Sequence, residues 1–173
     1  MKNIRGIISG FAASFVAAHV SMAGNLDVDI HCFSKKLDEN VKKASEGGAN
    51  RTKEHWVYEV TVENRTFKEL ANLDVKYVIF FKQEQLGVKA PPTPRQQNGS
   101  FSIPSIKSHE KKAFTTDAVE LTKSNLVGEW HYPSGAKPNA QDTLVGLGVR
   151  VYQNGQQIAE YANPSTLTRE KWE

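Results

Sequence analysis

The chain has 173 residues, 22 Lys and Arg against 19 Asp and Glu, 39% hydrophobic and 24% charged residues, and one cysteine. At about 150 residues per unit this is one globular domain, large enough to bury a core without metal or disulfide staples. A disulfide-built miniprotein is excluded, and the composition also excludes a disordered or fibrous chain.

The first segment carries a targeting pattern. Met1 to Arg5 holds two cations, Lys2 and Arg5, followed by an uncharged run from Gly6 to Val20 and then Ser21-Met22-Ala23. This succession of basic, apolar and small-residue regions predicts a secretory signal peptide over residues 1–23, with a single mature domain over 24–173. The competing reading is a retained membrane anchor, because Gly6 to Gly24 runs 19 residues without a Lys, Arg, Asp or Glu. Its Ala, Ser and Gly content makes it marginal against a hydrocarbon core of about 30 Å. A pilin-type cut after Gly10 calls for Glu at the fifth following position, where Phe15 stands, and Cys32 lies too far on for a lipoprotein. The chain is therefore read as exported: periplasmic, outer-membrane-associated or extracellular. Membrane contact is expected only through an uncleaved N-terminal segment. Without residues 1–23 the balance is 20 basic against 19 acidic residues, and no nucleic acid partner is expected from so even a charge.

The mature chain reads as strands. Leu26, Val28, Ile30 and Cys32 alternate with Asp27, Asp29, His31 and Phe33, the period-two pattern of a half-buried strand. An apolar-facing position predicts burial for the unpaired Cys32. His55 to Asn64 repeats the alternation through Trp56, Tyr58, Val60 and Val62. In Leu73 to Lys82 both faces are apolar, since Val78 and Phe80 oppose Leu73, Val75, Tyr77, Ile79 and Phe81. Such a strand is central or covered on both sides. Short strands are expected at Gly99 to Ile106, Lys111 to Ala118 and Leu126 to Tyr132. Leu144 to Gln153 and Gln156 to Ala162 flank Asn154-Gly155, a hairpin signal that favours a type I′ turn.

Two polar stretches interrupt this series. Lys35 to Lys53 is charged, and Leu37, Val41 and Ala44 suit one or two amphipathic helical turns. Gln83 to Ser100 contains Pro91, Pro92 and Pro94, which predicts a solvated loop of polyproline II character. The tail Pro164 to Trp172 is expected to form a capped helical turn, with Trp172 packing back onto the domain. About seven short strands without a long helix point to an all-β antiparallel sandwich behind an N-terminal signal helix.

The Cys to Trp to Cys arrangement of antibody domains is missing, which leaves the wider immunoglobulin-like and fibronectin-III-like group. Trp56-Val-Tyr-Glu-Val-Thr-Val-Glu-Asn-Arg-Thr66 together with Leu147-Gly-Val-Arg-Val-Tyr-Gln-Asn-Gly-Gln-Gln-Ile-Ala-Glu-Tyr-Ala-Asn-Pro-Ser-Thr-Leu167 resembles small exported immunoglobulin-like proteins of verrucomicrobial bacteria. One of these is associated with a type IV pilus-like gene cluster. The resemblance spans residues 54 to 170 and rests on strand and hairpin motifs, so it speaks for fold more than for activity. It implies a non-enzymatic role in the cell envelope, with envelope or pilus proteins as partners, and it brings no catalytic residues.

Candidate chemistry is sparse. Asp27, Asp29 and His31 share one strand face and could ligate a metal, but a solvated, edge-protecting face gives the same pattern. No metal or cofactor is expected. No nucleophile elbow, HExxH, CxxC or phosphate-binding glycine loop occurs in the sequence, so the chain is read as not an enzyme. Two binding faces remain. Val78 and Phe80, unless covered by Lys35 to Lys53 or by the proline-rich loop, form a hydrophobic patch for a protein partner, and an open sheet edge could accept a partner strand. Alternatively Trp130 and Tyr132, beside Pro133-Ser134-Gly135 and near Asn139 and Gln141, form a stacking platform for a glycan; the competing assignment is that they fill the core.

Overall fold

The computed structural model describes residues 27–129 and 132–172. The proposed signal segment and Trp130 lie outside the described residues. Among the described residues nine strands form two antiparallel sheets: β1 (Val28–Lys42), β2 (Ala49–Asn64), β3 (Leu70–Gln83), β4 (Thr93–Ile106), β5 (Lys111–Thr115), β6 (Val119–Leu126), β7 (Asn139–Gln141), β8 (Thr143–Gln153) and β9 (Gln156–Asn163). The first sheet has the order β1-β2-β6-β7, with β5 also on β2, and the second has the order β4-β3-β8-β9. We call them sheets A and B.

The alternation read from the sequence decides which side chains lie between the sheets. Val60 and Val62 of β2, Leu73, Val75 and Ile79 of β3, and Leu147, Val149 and Val151 of β8 are fully buried in one cluster. The pleat sends alternate residues of each strand into this layer. The β8–β9 hairpin turns at Asn154 and Gly155, whose φ angles of 51° and 79° are both left-handed, as a type I′ turn requires.

Three elements differ from the sequence expectation. Lys35 to Lys53 is not helical: β1 and β2 continue as a paired hairpin as far as Lys42 opposite Arg51, with one register shift between Lys36 and Asp38. Its charges are held across the strands, Lys35 on Glu59 at 2.9 Å, Lys53 on Glu120 at 2.8 Å and His55 on Asp38 at 2.6 Å. Helical periodicity over Leu37, Val41 and Ala44 lost to this pairing with a strand already in place. The proline-rich stretch is a loop only to Pro92; from Thr93 the chain enters β4 and pairs β3 throughout. Pro94 is accommodated because β4 is an edge strand, where a missing N–H can face solvent. The strand expected over Leu126 to Tyr132 ends at Leu126 and begins at Val119.

β5 and β6 occupy successive parts of one edge of β2, opposite Glu59–Glu63 and Ala49–Trp56 respectively. At the break, Thr116 keeps the ladder satisfied. Its N–H donates to the Tyr58 carbonyl and its Oγ1 accepts the Tyr58 N–H, each at 2.9 Å. Asn64 does similar work after β2: its Nδ2 donates to the carbonyls of Lys68, Ile106 and Lys107, and its Oδ1 accepts the Thr66 N–H. At the other end, the buried Asp142 carboxylate accepts the N–H groups of Glu84 and Thr122 at 3.0 and 2.9 Å, joining the two sheets. Buried polar groups so fully matched keep the sandwich specific without leaving an unsatisfied cost.

Candidate functional site

The outer face of sheet B carries the first candidate pair. Val78 pairs with Gly148 and Phe80 with Gly146 in the β3–β8 register, so each large side chain stands beside a glycine lane. Both are buried, at 2% and 6% exposure, in a second cluster with Leu167, Val145, Ala162 and Trp172. This corrects the expectation of an open patch at Val78 and Phe80. Neither Lys35–Lys53 nor the proline-rich loop covers them; the chain's C-terminal segment does.

That segment is a strap. After β9 the chain makes a 3-10 turn over Ser165–Arg169, with Leu167 buried and no side-chain cap. A Cβ on Gly146 would overlap the Asn163 carbonyl and come within 2.8 Å of Leu167 and Pro164, and one on Gly148 would lie 2.6 Å from the Trp172 ring. The Arg150 guanidinium lies 3.9 Å from the centre of that ring and is fixed by Glu160 at 2.7 Å, a cation–π arrangement. Trp172 therefore packs back onto the sandwich as its position in the tail suggests. The signal for its socket was Gly146-Leu147-Gly148, since glycine inside a strand marks a close approach.

The second candidate pair is split. Tyr132 is half-buried, and a Cβ on Gly87 would stand 2.7 Å from its ring, so its ring lies over that glycine. Asn139 and Gln141 line a polar pocket of about 350 Å³ with Glu84 and Lys123.

On the outer face of sheet A, donor atoms of Asp29, His31 and Glu63 lie within 4.8 Å of one another. Asp29 faces Glu63 across the β1–β2 ladder. Asp27 is not part of this group; its carbonyl accepts the Arg65 N–H at 2.8 Å. The carboxylates already meet cations, Asp29 through Arg65 and Glu63 through Lys111 at 3.3 Å.

Glu54 and His55 are shifted by partners on neighbouring strands, and Tyr58 and Tyr161 by burial first. The Lys123 ammonium, then the Trp56 indole, hold Glu54 below the usual carboxylate range, while hydrogen bonding to Asp38 raises His55. Cys32 is half-buried, and this burial pushes its thiol up to about 12, so it carries almost no thiolate at neutral pH.

The sheet edges differ sharply. β1 carries Asp29, Lys35, Lys36, Asp38, Glu39 and Lys42 along its free edge, β7 has three residues, and β9 turns into the strap. β4 is the exception: Arg95 is its single charged residue, and most of the strand is exposed. Gln97 to Ile103 holds neither charge nor proline. Pro94 and Pro104 share parity, and an edge proline turns its missing N–H outward. Ser100 and Ser102 have the same parity and so direct their backbone groups to the free edge. Phe101, 40% exposed, stacks on Phe114 at 4.7 Å. The sequence reading missed this edge because it placed Gln83 to Ser100 in a loop.

No protein-family model and no curated protein matches the sequence. Among solved structures, an X-ray structure of a Northeast Structural Genomics Consortium target is similar at 11% identity and a TM-score of 0.38, over 86% of this chain and 96% of the other. A crystal structure from Akkermansia muciniphila is similar at 12% identity and a TM-score of 0.26, over 90% of this chain and 77% of the other. Likenesses at these scores carry no argument, and the two antiparallel sheets stand on the chain's own strand pairing.

Proposed function

We propose that this chain is an exported, non-enzymatic protein-interaction module of the bacterial cell envelope, pilus-associated, which accepts an extended segment of a partner protein along β4. The observation that carries the reading is the edge itself, fourteen residues from Thr93 to Ile106 with one charge. Natural sheet edges are guarded by charges, prolines, bulges or covers; on β4 such guards stand near its ends, Pro94, Arg95 and Pro104, and the stretch from Gln97 to Ile103 between them carries none. β1 of the same molecule is guarded by charges and a register shift, so the contrast is internal to the protein. The order β9-β8-β3-β4 against β1-β2-β6 supports an immunoglobulin-like or fibronectin-III-like sandwich, whose G-F-C-C′ sheet has this connectivity. The shifts of Glu54 and His55 come from pairs across strands, a structural use of those groups.

The test is a cross-linked pull-down with the full chain from its own envelope fraction, read by mass spectrometry. A few envelope or pilus proteins are expected, and Ser100→Pro should abolish their capture because it removes a donor on the free edge only. Capture unchanged by Ser100→Pro, with the fold intact, would refute the edge.

A second reading, a carbohydrate-binding module using Trp130 and Tyr132, has the polar pocket of Asn139 and Gln141 in its favour. Glycan-array binding lost on Asn139→Ala, at an unchanged melting temperature, would establish it in place of the first.

A further inference from the structure

Asn64, fully buried at the end of β2, ties together two loops at one end of the sandwich. Its Nδ2 reaches the Lys68 carbonyl in the β2–β3 loop and the Ile106 and Lys107 carbonyls at the start of the β4–β5 turn. The Ser108 hydroxyl closes the same pair of loops from the other side, donating to the Thr66 carbonyl at 2.8 Å. Within the turn the Lys107 N–H donates to the Glu110 carboxylate at 2.7 Å and the Glu110 N–H to the Lys107 carbonyl at 3.1 Å. Loops held by this many bonds present their tips in one arrangement, so little ordering is left to be lost on binding.

What they present is Phe67, at 89% the most exposed large hydrophobic side chain among the described residues. His109 stands edge-on against it, with ring centres 5.0 Å apart and planes at 84°. The His109 φ of 58° is a backbone form that residues other than glycine rarely take. Charge gathers at the same place. Residues 64–69 and 107–112 hold five Lys and Arg against two Glu, whereas residues 24–173 as a whole hold 20 against 19, so the remainder of that span is net acidic. Arg65, Lys111 and Lys112 are paired with Asp29, Glu63 and Glu110. Lys68 and Lys107, both exposed, enter no ion pair among the described residues. The β8–β9 turn lies at this end too, with Gln153 opposite Leu73, and Gln153 to Gln157 adds no charge. β1 also begins here, Val28 opposite Asn64, so the uncharged run from Gly6 to Gly24 joins the sandwich beside Phe67.

We propose that this tip docks on an anionic bilayer surface, with Phe67 entering the headgroup boundary and Lys68 and Lys107 meeting lipid phosphates. A stable protein interface wants about 800 Å² from each partner, but here a single ring stands among charges, the form of an interfacial aromatic anchor. One apolar anchor joined to cations gives reversible attachment to anionic lipid. The proposal draws on no strand pairing along β4, and its failure would leave the edge reading standing.

A fluorophore sensitive to its surroundings reads the contact in the full chain, attached either to Glu69→Cys beside the tip or to Lys89→Cys in the β3–β4 loop at the far end. With its thiol pushed up to about 12, Cys32 does not compete for the label at neutral pH. On vesicles containing phosphatidylglycerol the probe at 69 should shift to the blue and the probe at 89 should not, and phosphatidylcholine alone should move neither. Phe67→Ala should raise the lipid concentration at half-maximal shift about ten-fold. Lys68→Glu with Lys107→Glu should raise it at least about ten-fold. These side chains are exposed, so the variants should melt with the unaltered chain. A probe at 69 that anionic lipid does not move, a shift equal on both lipids, or a shift that Phe67→Ala leaves unchanged overturns the proposal. A protein captured from the envelope fraction and lost on Phe67→Ala, with the probe at 69 unmoved by lipid, would overturn it in favour of a protein pocket for the ring.

Discussion

Tyr77 and Asp117 bind each other in both directions across the sandwich: the phenol donates to the Asp117 carboxylate at 3.1 Å and accepts the Asp117 backbone N–H at 2.9 Å. Asp117 sits at the break between β5 and β6, on sheet A, while Tyr77 lies on β3 of sheet B. One phenol thus satisfies the backbone where the ladder is interrupted. Tyr77→Phe should lower the unfolding free energy by about 1–3 kcal/mol, because the Asp117 N–H is left without its partner. Denaturant titration reads this as a lower midpoint at unchanged slope.

The same ring depends on Gly99, where a Cβ would overlap it. Gly99→Ala is expected to cost about 3 kcal/mol, at the upper end for an overpacked core. In a Tyr77→Phe background the ring still blocks the Cβ, whereas in a Tyr77→Val background, itself destabilised by the lost ring, Gly99→Ala should add little further cost. A double-mutant cycle on melting transitions checks the coupling.

Phe80 and Phe67 make a contrast that exposure decides. Phe80 is 6% exposed and Phe67 is 89% exposed. Phe80→Glu puts a charge beneath the strap and should cost about 3 kcal/mol or more, so it reports stability, not partner contact. Phe67→Ala should change stability by no more than about 0.5 kcal/mol. Thermal denaturation of both variants separates them.

Glu54 gives a pH signature. Its carboxylate is held below the usual range by Lys123 first and by the Trp56 indole second, with bonds of 2.9 Å each. A group with a depressed folded pKa stabilises the fold above its unfolded value of about 4.3 and loses that contribution as pH falls through the folded value. Glu54→Gln should cost about 2 kcal/mol at pH 7 and flatten the fall in stability between about pH 5 and pH 3. Chemical denaturation at a series of pH values measures both effects.

Cys32 should react slowly. With burial pushing its thiol to about 12, a disulfide reagent at pH 8 finds almost no thiolate in the native chain, and one equivalent should appear only on adding guanidinium. Stoichiometric native labelling within minutes would contradict the position of Cys32 against the core.

Most strands were legible because each buries one face, and burial writes a period of two into the residues themselves. The Asn154-Gly155 turn was equally local: both positions need left-handed backbone, and those residues supply it at least cost. The charged hairpin from Lys35 to Lys53 was not legible, since β1 there pairs with β2 and β2 with β6, and no local window contains β6. The proline-rich stretch misled for a related reason. Proline forbids a central strand but not an edge, and only the sheet order places β4 at an edge.

The sequence by itself determined that the chain folds as two antiparallel layers with Val78 and Phe80 outside the first core, because alternation along one strand is enough to assign faces. What covers that outer face was decided only in three dimensions. Trp172 lies 24 residues from Gly148 along the chain, and the glycine lane, Arg150 and the strap become one site only when β8 and β9 lie side by side. The edge is likewise a property of sheet order: an uncharged run such as Gln97 to Ile103 reads as an ordinary interior strand, and only the order β4-β3-β8-β9 among the described residues places it at the end of its sheet.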